Sequence, residues 1–167
     1  MKSIIIIFVI SLVTLKLSAQ DYNNAVRVST GEYWGVSYKR LFNQKNGAMG
    51  RFQVNNKGAQ LTGLRLFHTP AFPATSSQWF FAYGYGVHFA YRTKIDSRNL
   101  FTPFAPPIVN TGHFFSPGVD GYLSLEYRFL KVPFVLSADY MPNFEFFGPN
   151  FFRLNMNNFT VSAAFTF

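Results

Sequence analysis

Residues 79–92 have the sequence WFFAYGYGVHFAYR, which alternates between two kinds of side chain. The odd positions hold large, mostly aromatic residues, whereas the even positions from Ala82 onward hold small or polar residues such as His88 and Arg92. A period of two residues predicts a β-strand with one apolar and one polar face. Other alternating segments carry charges on the small-residue face. We therefore expect that face to line a narrow lumen and the aromatic face to contact lipid. A soluble, lipocalin-like barrel with its apolar face inward is the alternative.

The amino-terminal residues have the features of a secretory signal peptide. Lys2 precedes an apolar run over residues 4–13, and Leu17-Ser18-Ala19 forms a small-residue cleavage site before Gln20. We therefore expect residues 1–19 to be removed and residues 20–167 to form one barrel domain; an uncleaved membrane anchor is the alternative. The chain has no cysteine, so neither a lipid-modified cysteine nor a disulfide is expected.

The composition favours a membrane wall over a soluble core. The chain contains 22 Phe, 9 Tyr and 2 Trp and is 49% hydrophobic. No segment after the signal has the ~18 consecutive apolar residues of a membrane-spanning helix. Cleavage would remove Lys2 and Lys16 and leave 13 of 15 basic residues against 7 acidic ones, a net charge of +6. An exported protein does not meet nucleic acid, so we attribute this charge to a charged lumen and to attraction for lipopolysaccharide.

The alternation predicts eight strands, at residues 24–29, 33–42, 48–55, 59–67, 79–92, 119–129, 132–140 and 158–167. Residues 93–116 and 141–157 lack steady alternation, so we expect two long loops there, and residues 68–78 form a shorter connection. An even number of strands places both termini on one side of the membrane, the periplasm, and both long loops outside. The predicted fold is an all-β, eight-stranded antiparallel transmembrane barrel of the up-and-down type.

These features resemble the small eight-stranded outer-membrane barrels of the OmpA/OmpX type. The resemblance rests on the alternating segment 159–167 that ends on Phe167, the exported cysteine-free start at Ala19-Gln20, and the glycine-punctuated aromatic hairpins. It implies a monomeric barrel in the outer membrane of a Gram-negative cell, with Phe167 as the signal to the barrel-assembly machinery. The family includes adhesins, tethers, narrow pores and a few lipid-modifying enzymes, so the resemblance leaves the activity open.

Charged residues at inward positions are expected to meet in the lumen. They are Arg27, Lys39, Arg51, Arg65, His88, Arg92, Asp120, Glu126, Arg128 and Asp139. Because a buried unpaired charge is costly, these groups should pair with one another or with trapped water. They form either a plug that holds the barrel rigid or a gated pore whose pairs rearrange. An eight-stranded barrel is just wide enough for side chains, which favours the plug.

The sequence contains no recognised catalytic or metal-binding pattern. No histidine has a serine two residues further on, the spacing that places both on one side of a strand. The nearest approach, His113 and Ser116, falls in or beside a predicted loop. Neither metal-ligand spacing nor a glycine-rich phosphate loop is present. We therefore expect no enzyme activity, metal or cofactor, and we keep a lipid-modifying enzyme as a third alternative.

Phenylalanines cluster in the second predicted loop. They are Phe144, Phe146, Phe147, Phe151 and Phe152. Such a cluster is either an aromatic girdle at the membrane interface or a docking patch for a partner. The expected role is structural or interactive, with outer loops that contact a partner protein, lipopolysaccharide or a surface. A narrow transport pore with a charged lumen is the main alternative.

Overall fold

The computed structural model describes residues 22–97, 108–146 and 152–167; the predicted signal peptide, residues 1–19, lies outside this range. Within it the secondary structure is entirely β-strand and turn. None of these residues belongs to a helix that is long and apolar enough to cross a membrane. The strands are β1 (Asn24–Gly31), β2 (Trp34–Leu41), β3 (Asn46–Asn55), β4 (Gly58–Pro70), β5 (Trp79–Ser97), β6 (Ile108–Arg128), β7 (Phe134–Tyr140), β8 (Asn143–Phe146), β9 (Phe152–Asn155) and β10 (Phe159–Thr166).

Eight of these strands form a closed antiparallel ring. Each strand from β1 to β6 pairs with the next, β7 pairs with β10, and β10 pairs with β1, where Val28 lies opposite Ala163. The other two strands prolong the wall: β8 follows β7 along β6, and β9 leads into β10 and pairs with β8. The predicted eight-stranded, up-and-down antiparallel barrel is confirmed.

Successive side chains of each strand point alternately to the outside and to the lumen of the barrel, and the face toward the lumen is mostly polar. Apolar residues such as Val36 and Val161 are more than half exposed on the outer face. The largest fully buried side chains include Arg27, Arg51 and Arg92. This is the reverse of a soluble barrel, whose interior is apolar, and it matches a wall that faces lipid.

Strand β4 faces the opposite way from the prediction. Arg65, which was predicted to lie in the lumen, is exposed. Its neighbours Leu64 and Leu66, which the same alternation assigns to the lipid face, are buried. A shift of one residue inverts every side chain of a strand. The leucines take the inner face because an apolar cluster fills the lumen at their level. Its other members are Met49, Ala82, Tyr122 and Met141.

The two predicted long loops are partly strand. Strands β5 and β6 continue into the first, where a register shift between Arg92 and Lys94 interrupts the alternation. Residues 143–146 and 152–155 of the second form the β8–β9 hairpin. Pro142 separates β7 from β8, yet its carbonyl oxygen still accepts a hydrogen bond from the Gly121 N–H at 2.9 Å. Residues 98–107 and 147–151 lie outside the described range.

The two ends of the barrel differ. One end, the terminal rim, holds the start of β1, the end of β10 and the connections at residues 42–45, 71–78 and 129–133. The other, the hairpin rim, holds two-residue turns at residues 32–33 and 56–57 and the β5–β6 and β8–β9 hairpins. Gly58 follows the second turn with φ of 146°, and a β-carbon there would collide with the Tyr91 carbonyl oxygen. Only glycine fits this turn without strain.

Candidate functional site

Glu126 is the centre of a buried polar cluster in the lumen near the terminal rim. Its Oε1 accepts hydrogen bonds from Lys39 Nζ at 2.7 Å and from Arg27 Nη2 at 2.7 Å, and all three side chains are fully buried. Tyr22 donates its hydroxyl to Oε2 at 3.3 Å, and His68 Nε2 lies 3.6 Å from the same oxygen. Burial, helped by the Glu126 carboxylate, raises the pKa of the Tyr22 hydroxyl, so it stays a donor.

Asp139 forms the second carboxylate centre of the same cluster. Arg27 bridges the two centres, because its Nη1 donates to Asp139 Oδ1 at 3.1 Å. The Tyr122 hydroxyl donates to Oδ1 at 3.0 Å, and Ser162 Oγ donates to Oδ2 at 2.5 Å. Arg51 Nη1 lies 3.9 Å from Oδ2. With a further bond from Ser124 Oγ at 2.7 Å, this carboxylate ties four strands together.

Two arginines of this cluster also have partners other than carboxylates. Arg51 Nη2 donates to Thr160 Oγ1 at 2.7 Å, across the barrel from β3 to β10. The Arg128 guanidinium lies 3.6 Å from the centroid of the Phe80 ring, and its Nη2 is 3.1 Å from His68 Nδ1. Stacking on an aromatic face partly replaces the hydration that burial removes.

A smaller ion-pair cluster joins the strands near the hairpin rim. Arg92 Nη2 donates to Glu145 Oε1 at 2.8 Å and to Gln60 Oε1 at 2.7 Å. Arg153 Nη2 donates to Glu145 Oε2 at 2.6 Å. Since Glu145 is on β8 and Arg153 on β9, this cluster fixes the β8–β9 hairpin to the barrel wall at β4 and β5.

One histidine has the partners that an acid–base site would need, but it is enclosed. His88 Nδ1 lies 2.9 Å from Asp120 Oδ2, while its Nε2 has no hydrogen-bond partner. Ser116 lies on the same inner face, also without a partner for its Oγ, and both side chains are buried. Because the two do not bond and neither is open to a lipid ester, the geometry does not form an activated nucleophile. No group of three His, Cys, Asp or Glu residues in the described ranges could hold a metal ion.

The structure places the residues of the predicted lumen set in three locations. The cluster around Glu126 and Asp139 contains six of them: Arg27, Lys39, Arg51, Glu126, Arg128 and Asp139. Three more are buried nearer the hairpin rim: His88, Arg92 and Asp120. The prediction for Arg65 is wrong, because β4 turns this residue outward, where its guanidinium lies 5.6 Å from the centroid of the Phe42 ring.

Sequence reasoning missed several members of these clusters. Tyr122 has the same parity as Asp120 and Ser124, so the alternation alone could have identified it. His68 and Glu145 were assigned to connections, and no signal in the sequence marks them as inward-facing. Tyr22 precedes the first strand, and only the folded chain brings it beneath Glu126.

The predicted partner-contact residues form an aromatic cluster on the β8–β9 hairpin. The ring centroids of Phe144 and Phe146 are 5.1 Å apart, and Phe152 lies 5.5 Å from the first and 6.0 Å from the second. Phe152 is half exposed. Phe147 and Phe151 lie outside the described residues.

Phe167 is held at the terminal rim by the first strand. Its N–H donates to the Asn24 carbonyl oxygen at 2.9 Å, and its own carbonyl oxygen accepts from Asn24 at 3.0 Å. Its side chain is exposed on the outer face. Its role as an assembly signal remains a prediction.

The architecture matches a solved structure. The N-terminal β-barrel domain of Pseudomonas aeruginosa OprF aligns with a TM-score of 0.57 over 87% of this chain and 98% of that chain. The chain has the fold of an outer-membrane β-barrel. At 12% sequence identity the likeness concerns the fold alone. No protein-family model matches the chain, and no curated protein matches it.

Proposed function

We propose that this chain is an integral, non-enzymatic outer-membrane protein whose closed barrel anchors two hairpins that contact a partner protein, lipopolysaccharide or a surface. One observation carries the proposal: buried ion pairs occupy the lumen, while β5–β6 continues past the β3–β4 turn and β8–β9 extends the wall beyond the end of β7. A filled lumen favours anchoring over passage, and extended hairpins favour contact outside the membrane.

The proposed orientation places the terminal rim in the periplasm. Outer-membrane barrels have short periplasmic turns and longer extracellular segments. The terminal rim has three connections without strands of their own, whereas the hairpin rim has the two projecting hairpins. In this orientation both termini are periplasmic and the hairpins face the medium.

The aromatic cluster of Phe144, Phe146 and Phe152 is the proposed contact surface. It belongs to a hairpin that Glu145 fixes to the wall, so its position is defined before any partner binds. Exposed apolar groups on a rigid support are typical of interaction sites. The alternative is an aromatic girdle that touches only lipid.

Photo-crosslinking tests the proposed surface. A photoreactive phenylalanine analogue would replace Phe152 in one variant and Phe134 in a control variant, since Phe134 is equally apolar and exposed but lies near the terminal rim. We expect a discrete adduct with one protein or with lipopolysaccharide only at position 152. Phospholipid adducts at both positions would identify the cluster as a girdle and contradict the proposal.

A narrow pore is the second candidate, and one observation favours it. The side-chain amides of Gln53, Asn143 and Asn158 are buried without hydrogen-bond partners in the protein, which is typical of groups that bind water. Planar-bilayer recording separates the candidates. If the barrel is an anchor, we expect no steady conductance. A steady conductance that changes in the Glu126→Gln variant would favour a pore.

A further inference from the structure

A groove of about 660 Å³ crosses the outer wall of the barrel. It runs over β4, β5, β6, β8 and β9, which are four inter-strand steps or about 19 Å, similar to an extended fatty acyl chain. Gly63 opens the floor, because a β-carbon there would meet no atom within 4 Å. The outward side chains beside it are apolar or aromatic: Tyr85, Val87, Val119, Phe144 and Leu154.

One arginine lies at the end of this groove, and a second lies two strands further on. Arg65 lines it directly, and the register places Arg40 on the other side of Ala48 in the same row of the wall. Both arginines are exposed. Within the described residues neither guanidinium has an ion-pair partner. The carboxylates of Asp120, Glu126, Asp139 and Glu145 are buried inside the lumen.

The position of the arginines along the barrel matches a lipid headgroup. Ala48 is two residues from Asn46, where β3 begins at the terminal rim. A lipid-facing arginine is costly at the bilayer midplane and tolerated near the interface, where phosphates lie. Arginine is also suited to phosphate because its guanidinium donates in a planar fork. Two cations without ion-pair partners, one lining the apolar groove and the other two strands away, are therefore complementary to a lipid phosphate with its acyl chain.

We propose that Arg40 and Arg65 bind the phosphate of an anionic glycerophospholipid whose acyl chain lies in the groove over Gly63. This site depends on insertion into a membrane. It shares Phe144 with the proposed contact surface, whereas Phe152, the crosslinking position, does not line the groove. The proposal assigns a function to Arg65, the predicted lumen arginine that lies on the outer face.

Lipid titration of the purified, detergent-solubilised barrel, read by native mass spectrometry, tests the charge requirement. The probes are phosphatidylglycerol and phosphatidylcholine with identical acyl chains. We expect phosphatidylglycerol to bind about tenfold more tightly, and the Arg40→Gln/Arg65→Gln double variant to bind both lipids alike. Lys131→Gln, which removes an exposed charge from the connection at residues 129–133 on the same rim, should retain the preference.

A second pair of variants tests the groove without changing charge. A β-carbon at Gly63 would meet no atom within 4 Å, so we expect Gly63→Leu to fold, to occupy the groove and to bind phosphatidylglycerol about tenfold more weakly. Ala163→Leu adds a side chain of the same size at an exposed position on the opposite wall and should have no effect.

Three outcomes would overturn the proposal. The unmodified protein could bind the two phospholipids equally, or the double arginine variant could keep the preference for phosphatidylglycerol. The third is displacement of phosphatidylglycerol by equimolar lipopolysaccharide. None of these outcomes bears on the crosslinking of Phe152.

Discussion

Single residues in the lumen act through several partners at once. Glu126 neutralises Lys39 and Arg27, so removal of its charge leaves the buried Lys39 without a carboxylate partner and Arg27 with Asp139 alone. Breaking a buried pair by removing one partner costs about 3–5 kcal/mol, because the remaining charge is still desolvated. The Glu126→Gln variant should therefore lose about this much free energy of unfolding, measured by urea titration in detergent micelles.

Arg65→Gln is the matched control for this prediction, because it removes a charge that is exposed on the outer wall. Its free energy of unfolding should change by no more than about 0.5 kcal/mol. Equal destabilisation by the two substitutions would mean that the buried ion pairs do not hold the barrel together.

At the residue scale, alternation predicts the face of a side chain but not its neighbours. It placed Glu126 and Asp139 on the inner face correctly, yet their common partner Arg27 lies 99 and 112 positions away in sequence. Such contacts depend on the register of strands that are distant along the chain. On β4 the parity was misassigned, because Leu64 and Leu66 suit lipid as well as they suit an apolar layer of the lumen.

At the scale of elements, the turn between β3 and β4 depends on one glycine. Gly58→Ala should lower the free energy of unfolding by about 1–3 kcal/mol, since the new β-carbon would meet the Tyr91 carbonyl oxygen at a φ that disfavours alanine. Gly50→Ala is the control, because its β-carbon would enter open space. Urea unfolding of both variants measures the difference; equal stabilities would argue against a strained turn.

Local irregularities within strands explain why the predicted strands are shorter than the observed ones. The register shift after Arg92 interrupts the alternation of β5, so a search for a period of two residues ends the predicted strand there. Pro142 likewise separates β7 from β8, although the segments on both sides remain paired to β6. In the sequence, a register shift or a proline within a strand therefore has the same appearance as a loop.

The whole molecule depends on the pairing of its first and last strands. Val28 and Ala163 are opposite each other on the outer face, so a Val28→Cys/Ala163→Cys variant should form a disulfide in the folded barrel. The natural chain has no cysteine to interfere. Val28→Cys/Leu136→Cys is the control, because Leu136 is one strand further on, about 10 Å away. Non-reducing electrophoresis of oxidised samples should detect the crosslink in the first variant alone; an absent crosslink would contradict closure.

Strand β6 is longer than a membrane requires. It contains 21 residues, about 70 Å of extended chain, where about 9–11 residues cross a bilayer. In the proposed orientation the surplus would extend beyond the membrane on the extracellular side. The chain would then be visible to large soluble reagents, such as antibodies, that never reach its lipid-facing wall.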